Sequence, residues 1–303
     1  MTTRHADATD FYPTRKSTGE ALLPRAEPVV HDGGPGPLSA DRLRTYEEDG
    51  FLMLDDLVDR SAVDESLAEL DRIAARVRPG EDPRIIREPG SEDIKSVFEV
   101  HAISPWFRAL VSSPRLVDHA RQILGSDVYV HQTRVNKKPG FDGTDFYWHS
   151  DFETWHAEDG MPRMRALTLV IALTDNTAIN GPLMIIPGSH RTFVTCAGET
   201  PSANYRTSLV RQEVGLPSKE ALRTLSDKTG VVPCLAPAGT GVVFDCNCMH
   251  GSSGNITPYA RQNLFVVFNS VENALREPFS APSRRPPFLA AREFTPVRGP
   301  EDG

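Results

Sequence analysis

The chain has few cysteines, no long apolar run and no excess of positive charge. Its 303 residues hold four cysteines, Cys196, Cys234, Cys246 and Cys248. An even number would allow disulfides, but nothing indicates export, and the four are read as reduced thiols. Cys246 and Cys248 point to opposite faces of an extended segment and are poor partners for one another. A zinc reading of Cys246-x-Cys248-x-His250 lacks a second paired ligand cluster. The longest apolar stretches, such as Leu167 to Leu173, fall far short of the ~20 residues that span a bilayer. Met1 to Asp10 is polar, so no secretory signal is expected and a cytoplasmic location is. Lys and Arg number 33 against 41 Asp and Glu, a net charge of -8. That balance argues against nucleic acid as a partner. No internal repeat is evident.

What remains is an ordinary globular composition, 39% hydrophobic and 24% charged, enough for a sizeable core. Residues 1–37 are polar and rich in Pro and Gly, and read as a flexible arm. Helices are expected over Ser39–Glu48, ended by Gly50, and from a Ser61 cap through the Val63, Leu67, Leu70, Ile73, Val77 face to Pro79-Gly80. Further helices are expected at Pro105–Val111, Pro114–Ile123 and Ser218–Leu225. Short strands are expected at Phe51–Leu54, Val128–Asn136, Leu167–Leu173, Leu183–Ile186, Val242–Phe244 and Leu264–Phe268. They lie too close together for βαβ alternation, which excludes a Rossmann sheet. The fold class is α+β, mainly β: a double-stranded β-helix (jelly-roll, cupin-like) core with N-terminal flanking helices. The Pro- and Arg-rich stretch from Glu277 onward is expected to wrap the surface.

The densest stretch, Phe146 to Pro162, mixes aromatics, histidines and carboxylates as neither a core strand nor a solvated loop does. In it, His149-x-Asp151 places an imidazole and a carboxylate on one face of an extended chain. His250, just past the strand Val242–Phe244, is the natural third ligand. Two His and one carboxylate on one face of an octahedron leave three positions open, as non-haem Fe(II) oxygenases require. The plainer reading is a pair of hydrogen-bonded structural histidines. Arg261 weighs against it, because a hairpin return from His250 brings its guanidinium beside the metal, where it can clamp a distal carboxylate. A cosubstrate that chelates iron at one end and presents a carboxylate at the other is 2-oxoglutarate.

These residues, with the run Gly181-Pro182-Leu183-Met184-Ile185-Ile186-Pro187-Gly188-Ser189-His190, resemble the phytanoyl-CoA-hydroxylase-like branch of iron(II)/2-oxoglutarate dioxygenases. Phe146 to Pro162 is similar, more narrowly, to the signature of the ectoine hydroxylases, F-x-W-H-S-D-F-E-T-W-H-x-E-D-G-M/L-P. The likeness covers roughly Leu38 to Val297 and implies one dioxygenase domain over 38–298 with a tail at 299–303. It implies iron held by His149, Asp151 and His250, and 2-oxoglutarate held by Arg261 with Lys138, Phe146, Ser252 and Asn263. It also implies ectoine held by Gln132 and Trp155, with Thr154 and Phe268 as further wall. Gln132 shares a face of its strand with Val130 and Arg134, and Trp155 would share the cavity with Asp151 if the chain stayed extended. The product would be 5-hydroxyectoine, a compatible solute made under stress. Homodimers are common in the resembled family, but no interface is legible. His156 is expected to be structural; Glu153, Glu158 and Asp159 to orient loops or ligands; His190 to stabilise a turn; Trp106 to pack in the core. Rivals are a related dioxygenase for another small substrate, an inactive jelly-roll binder and a zinc hydrolase.

Overall fold

The computed structural model describes residues 10–16, 19–76 and 80–299. Its backbone is organised by a seven-stranded antiparallel sheet in the order Phe51–Leu54, Gly241–Asp245, Ala166–Ala172, Arg261–Ser270, Val128–Lys138, Ile94–Phe98, Ile85–Arg87. A smaller sheet pairs Val232–Pro233, Met184–Ile185, His250–Ser252 and Phe146–His149. Val170, Val242, Phe244 and Phe265 from the large sheet meet Leu183 and Ile185 from the segment of the small one, closing a dry layer between them. This is the expected double-stranded β-helix core.

The outer face of the large sheet carries the main core. Leu169, Ile171, Val243, Leu264 and Val266 pack there against Val63, Leu70, Phe107, Leu116 and Ile123 of the flanking helices. Burial of these side chains is worth roughly 1.5–3 kcal/mol each. The helices follow from local chemistry. Ser39 accepts from the Arg42 amide at the start of Ala40–Asp49, and Gly50 closes it in the left-handed region at φ 81. The next helix runs Arg60–Arg76, and its cap is Asp59, which accepts from the Ala62 amide at 2.8 Å; Ser61 lies inside it. Its expected end at Val77 and Pro79 lies outside the described residues. Pro105–Val111 stands as expected, and Trp106 packs on the core while its indole donates to Ser66 Oγ at 3.0 Å. Ser218 caps a helix that runs on to Thr229. His190 is buried in the turn after Gly188, within hydrogen-bond reach of the Glu47 carbonyl.

Two further expectations fail. The described part of the N-terminal arm is not loose: Tyr12, Thr14 and Arg15 are almost wholly buried. Tyr12 packs edge-on to Phe152, an aromatic contact that polar composition around it concealed. The C-terminal stretch does not only wrap the surface, since Leu289 and Ala290 are fully buried and Arg285 turns inward.

After His149 the chain leaves the sheet. Asp151–Thr154 forms one α-turn and Trp155–Asp159 a π-turn, stopped by Gly160 at φ 79. A side chain at 160 would place its Cβ 2.1 Å from the Arg276 carbonyl oxygen. Gly160→Ala should therefore cost about 2 kcal/mol or more, from the left-handed backbone and the blocked contact. Equilibrium urea unfolding checks it; an unchanged midpoint would show that the π-turn ends elsewhere.

Candidate active site

His149 and His250 face one another because the strands that carry them are paired. Phe146–His149 runs antiparallel to His250–Ser252, with His149 opposite His250 and Ser252 opposite Phe146. The two rings lie 4.3 Å apart, centroid to centroid. Each ring is oriented from behind. His149 Nδ1 lies 2.7 Å from the Tyr147 carbonyl and His250 Nδ1 lies 3.0 Å from the Cys248 carbonyl. A carbonyl can only accept, so both Nδ1 atoms donate and both Nε2 atoms keep a lone pair.

Ser150 is extended, which carries Asp151 back to the same face before the helical turn begins. The Asp151 carboxylate lies 3.7 Å from His149 Nε2 and 3.9 Å from His250 Nε2. Burial pushes His149 down to about 4, helped by neighbouring His250, so the imidazole is neutral at pH 7. Burial alone would raise Asp151, yet His250 and Arg134 hold it below the ordinary carboxylate value. Among the described residues this is the one group of three with metal-ligating atoms mutually within reach, all inside 4.8 Å. His250 Nε2 is buried without a partner. Two neutral imidazoles backed by carbonyls, one anionic carboxylate and an orphaned lone pair fit a divalent metal ion. The cysteines offer no rival: Cys246 and Cys248 are buried and free, and burial holds their thiols well above the usual range.

A small cavity beside the two histidines is closed by Arg261, Phe146, Ser252 and Phe265. Arg261 stands opposite Lys138 in the pairing of Arg261–Ser270 with Val128–Lys138. Its Nε is buried without a partner, and burial lowers it to about 10, still charged at neutral pH. Lys138 is lowered to about 7 by burial and by Arg261, and donates to Ser252 Oγ at 3.0 Å and to two carbonyls. Asn263 shares the Arg261 face, with both amide atoms unsatisfied, but lines neither this cavity nor the next.

A larger cavity of about 310 Å³ opens on the other side of His149 and Asp151. Gln132, Thr154 and Trp155 line it as expected. Gln132 donates to the Leu289 carbonyl at 2.6 Å. Trp155 reaches the cavity because positions i and i+4 share a face in the turn that follows Asp151; the extended chain expected there does not form. Phe268 is not part of the wall. It lies with Leu264 and Val266 in the helix-side core. Gln132 and Val130 do not share a face either: a bulge at His131 separates them, with Gln132 opposite Val267 and Val130 opposite Phe268.

Two arginines enter the cavity without having been singled out. Arg134 is half-buried, lies 4.8 Å over the Phe265 ring and lines both cavities with its Nε buried and unpartnered. Its place beside Gln132 on the strand was the signal available. Arg285 arrives from the C-terminal stretch and grips Asp159 through two bonds of 2.8 and 2.5 Å; no spacing rule points to it. His156 bonds Asp10 and the Met161 carbonyl and stacks on Phe279, away from the metal face.

Comparison with known proteins agrees with this geometry. Residues 46–263 match the family described as phytanoyl-CoA dioxygenase (PhyH). The ectoine dioxygenase of Streptomyces anulatus is 55% identical over 291 residues, covering 95% of this chain and 98% of that protein. That of Bordetella bronchiseptica is 49% identical over 300 residues, covering 96% of each. The EctD protein of S. alaskensis, solved with 2-oxoglutarate and 5-hydroxyectoine, superposes with a TM-score of 0.87 at 43% identity, over 96% of this chain and 98% of that one. The same protein solved with bound Fe gives 0.86 at 43% identity and the same coverage. With the facing histidines, the buried arginines and this full-length likeness on one chain, the protein belongs to the phytanoyl-CoA dioxygenase family and, within it, to the ectoine dioxygenases.

Proposed function

We propose that the chain hydroxylates ectoine at C5, giving 5-hydroxyectoine from O2 and 2-oxoglutarate with release of succinate and CO2. The observation that carries this reading is the adjoining pair of cavities that share His149 and Arg134, with Asp151 on the wall of the larger and His250 on that of the smaller. One is small and ends on an unpaired arginine; the other is larger and polar. Iron(II) held there would activate O2, the oxidant, and so couple oxidative decarboxylation of 2-oxoglutarate to hydroxylation of a C–H bond.

The chain's own residues do the placing. His149, Asp151 and His250 would hold the metal ion. Arg261 clamps the far carboxylate of 2-oxoglutarate in two-pronged geometry, with Lys138 adding charge through Ser252 and Phe146 closing the side. Asn263 backs that face. In the larger cavity Trp155 offers its ring to the cyclic amidinium, a contact worth roughly 0.5–2 kcal/mol. Gln132 and Thr154 supply polar contacts for orientation. Arg134 is a half-buried cation whose buried Nε has no partner, and it meets the ectoine carboxylate with Arg285 beside it. Together these groups hold one C–H bond toward the metal and keep bulk water out.

All of these residues lie within 38–298, which we treat as the catalytic domain. No helix among the described residues is long and apolar enough to cross a membrane. Four unpaired cysteines suit a cytoplasmic setting. The resemblance also carries a homodimer into the proposal, which sedimentation of the pure chain reads directly.

The direct test mixes anaerobic protein, Fe(II), 2-oxoglutarate and ectoine, then admits O2. 5-Hydroxyectoine and succinate should form in equal amounts; succinate release indifferent to ectoine would replace the substrate assignment. Asp151→Ala should lose Fe(II) binding and turnover with the fold retained, and full activity in that variant would overturn the ligand set. Arg261→Lys keeps the charge but loses the fork, so the KM for 2-oxoglutarate should rise roughly tenfold or more while that for ectoine stays near wild type. An unchanged 2-oxoglutarate KM would pass the role to Lys138. Trp155→Ala should leave Fe(II) and 2-oxoglutarate binding near wild type and collapse ectoine hydroxylation, with uncoupled succinate as the sign of a misplaced C–H bond.

A further inference from the structure

One buried cation belongs to none of the ligands above. Arg15, in the N-terminal arm, has a side chain that is 0% exposed. Its Nε and Nη2 grip both oxygens of Glu153 at 2.9 and 2.6 Å. Its Nη1 donates to Glu158 at 2.6 Å and to Thr200 Oγ1 at 3.2 Å, and Nη2 reaches Thr154 Oγ1 at 3.4 Å. Thr14 Oγ1 adds a bond to Glu153 at 2.8 Å. Arg15 sits at φ 56, a left-handed conformation that a non-glycine residue keeps only where its surroundings impose it. The Arg15 amide bonds the Cys196 carbonyl and the Cys196 amide bonds Thr14 Oγ1, both at 2.9 Å, which fixes the arm in place.

Of the three elements joined here, the arm docks behind the other two, wall and roof, which line the larger cavity. Glu153 and Glu158 flank Thr154 and Trp155 in the turn that forms its wall. Thr200 begins the segment 200–216, whose Asn204, Val210, Gln212 and Leu216 roof the cavity. Glu158 also accepts from Asn204 Nδ2 at 2.8 Å, so one carboxylate touches arm, wall and roof. Gly215 completes the contact from the far end of the roof. A Cβ there would lie 2.3 Å from both Arg15 Nη2 and Glu153 Oε2, so the roof backbone rests on the ion pair itself.

We propose that Arg15 is a positioning residue for substrate recognition: its guanidinium ties the Thr154–Trp155 wall to the 200–216 roof, so that the larger cavity has its shape only when the N-terminal arm is docked. Glu153 shares the Asp151–Thr154 turn with a metal ligand, but none of the hydrogen bonds given for this network reaches His149, Asp151, His250 or Arg261, and the proposal separates the two sites. It rests on the larger cavity being the ectoine site.

The test compares wild type with Arg15→Gln and Gly215→Ala in the full-length chain loaded with Fe(II). In Arg15→Gln the KM for ectoine should rise roughly tenfold or more, with succinate exceeding 5-hydroxyectoine, while the KM for 2-oxoglutarate stays within about twofold. The visible absorption of the anaerobic Fe(II)–2-oxoglutarate chelate should be retained. Trypsin should cut after Arg206 and Arg211, both exposed on the roof, several-fold faster than in wild type. Gly215→Ala leaves both charged partners in the chain but drives a methyl group between the roof and the ion pair, and should show the same pattern more weakly; it decides the matter if Arg15→Gln does not fold. A folded Arg15→Gln with wild-type ectoine KM and wild-type cutting overturns the proposal. So does a parallel loss of chelate absorption and ectoine binding, which would mark Arg15 as a general stabiliser. If wild type does not act on ectoine, the substrate reading fails, while the tryptic rates still report on the link from arm to roof.

Discussion

The pairing of two short strands underlies the whole site. Phe146–His149 and His250–Ser252 meet in register, and that register sets two imidazoles face to face. Each ring then gives its Nδ1 proton to a carbonyl two residues earlier in its own chain. The orientation is thus a backbone property and needs no partner side chain. A slip of one residue in either strand would turn its ring to the opposite face and part the two. The large sheet supplies the other half of the constraint, since Arg261 and Lys138 face each other across its ladder and open toward the same point.

The interior carries a charge pattern that the surface does not. The chain is acidic overall, yet Arg134, Arg261, Arg285 and Lys138 converge on the site with Asp151 and Asp159 between them. Arg285 is balanced by Asp159, while Arg134 and Arg261 each keep an unsatisfied Nε. Guanidinium groups with a buried, unpaired Nε are held ready for anions. Two carboxylate-bearing molecules, one in each cavity, match that arrangement in number and sign. The arm adds a separate network farther out, where Arg15 is saturated by protein acceptors and serves shape.

Alternation along a strand explains both the successes and the failures of the sequence reading. His149 and Asp151 share a face because Ser150 is extended between them, as the two-residue spacing requires. Asn263 and Phe268 are an odd number of positions apart, so one unbroken strand cannot turn both toward the same cavity. Arg261, Asn263, Phe265 and Val267 take the site face, and Phe268 follows Leu264 and Val266 into the core. The bulge on the partner strand at His131 leaves no local mark, and it alone parts Val130 from Gln132. Trp155 illustrates the reverse, a correct position reached through an incorrect conformation.

By itself the sequence determined what depends on near neighbours: the capped helices, the strand periods, the His149-x-Asp151 pair, and a segment from Phe146 to Pro162 too charged for core and too aromatic for loop. It also placed His250 and Arg261 by their distance from the strands that return them. Tertiary structure alone decided the partners of the distant chain ends. Arg15 and Arg285 lie in Pro-rich segments whose composition resembles solvated loops, and each finds its acids more than a hundred residues away. Local chemistry cannot specify such contacts, because the acids they neutralise come together only once the sheets have closed.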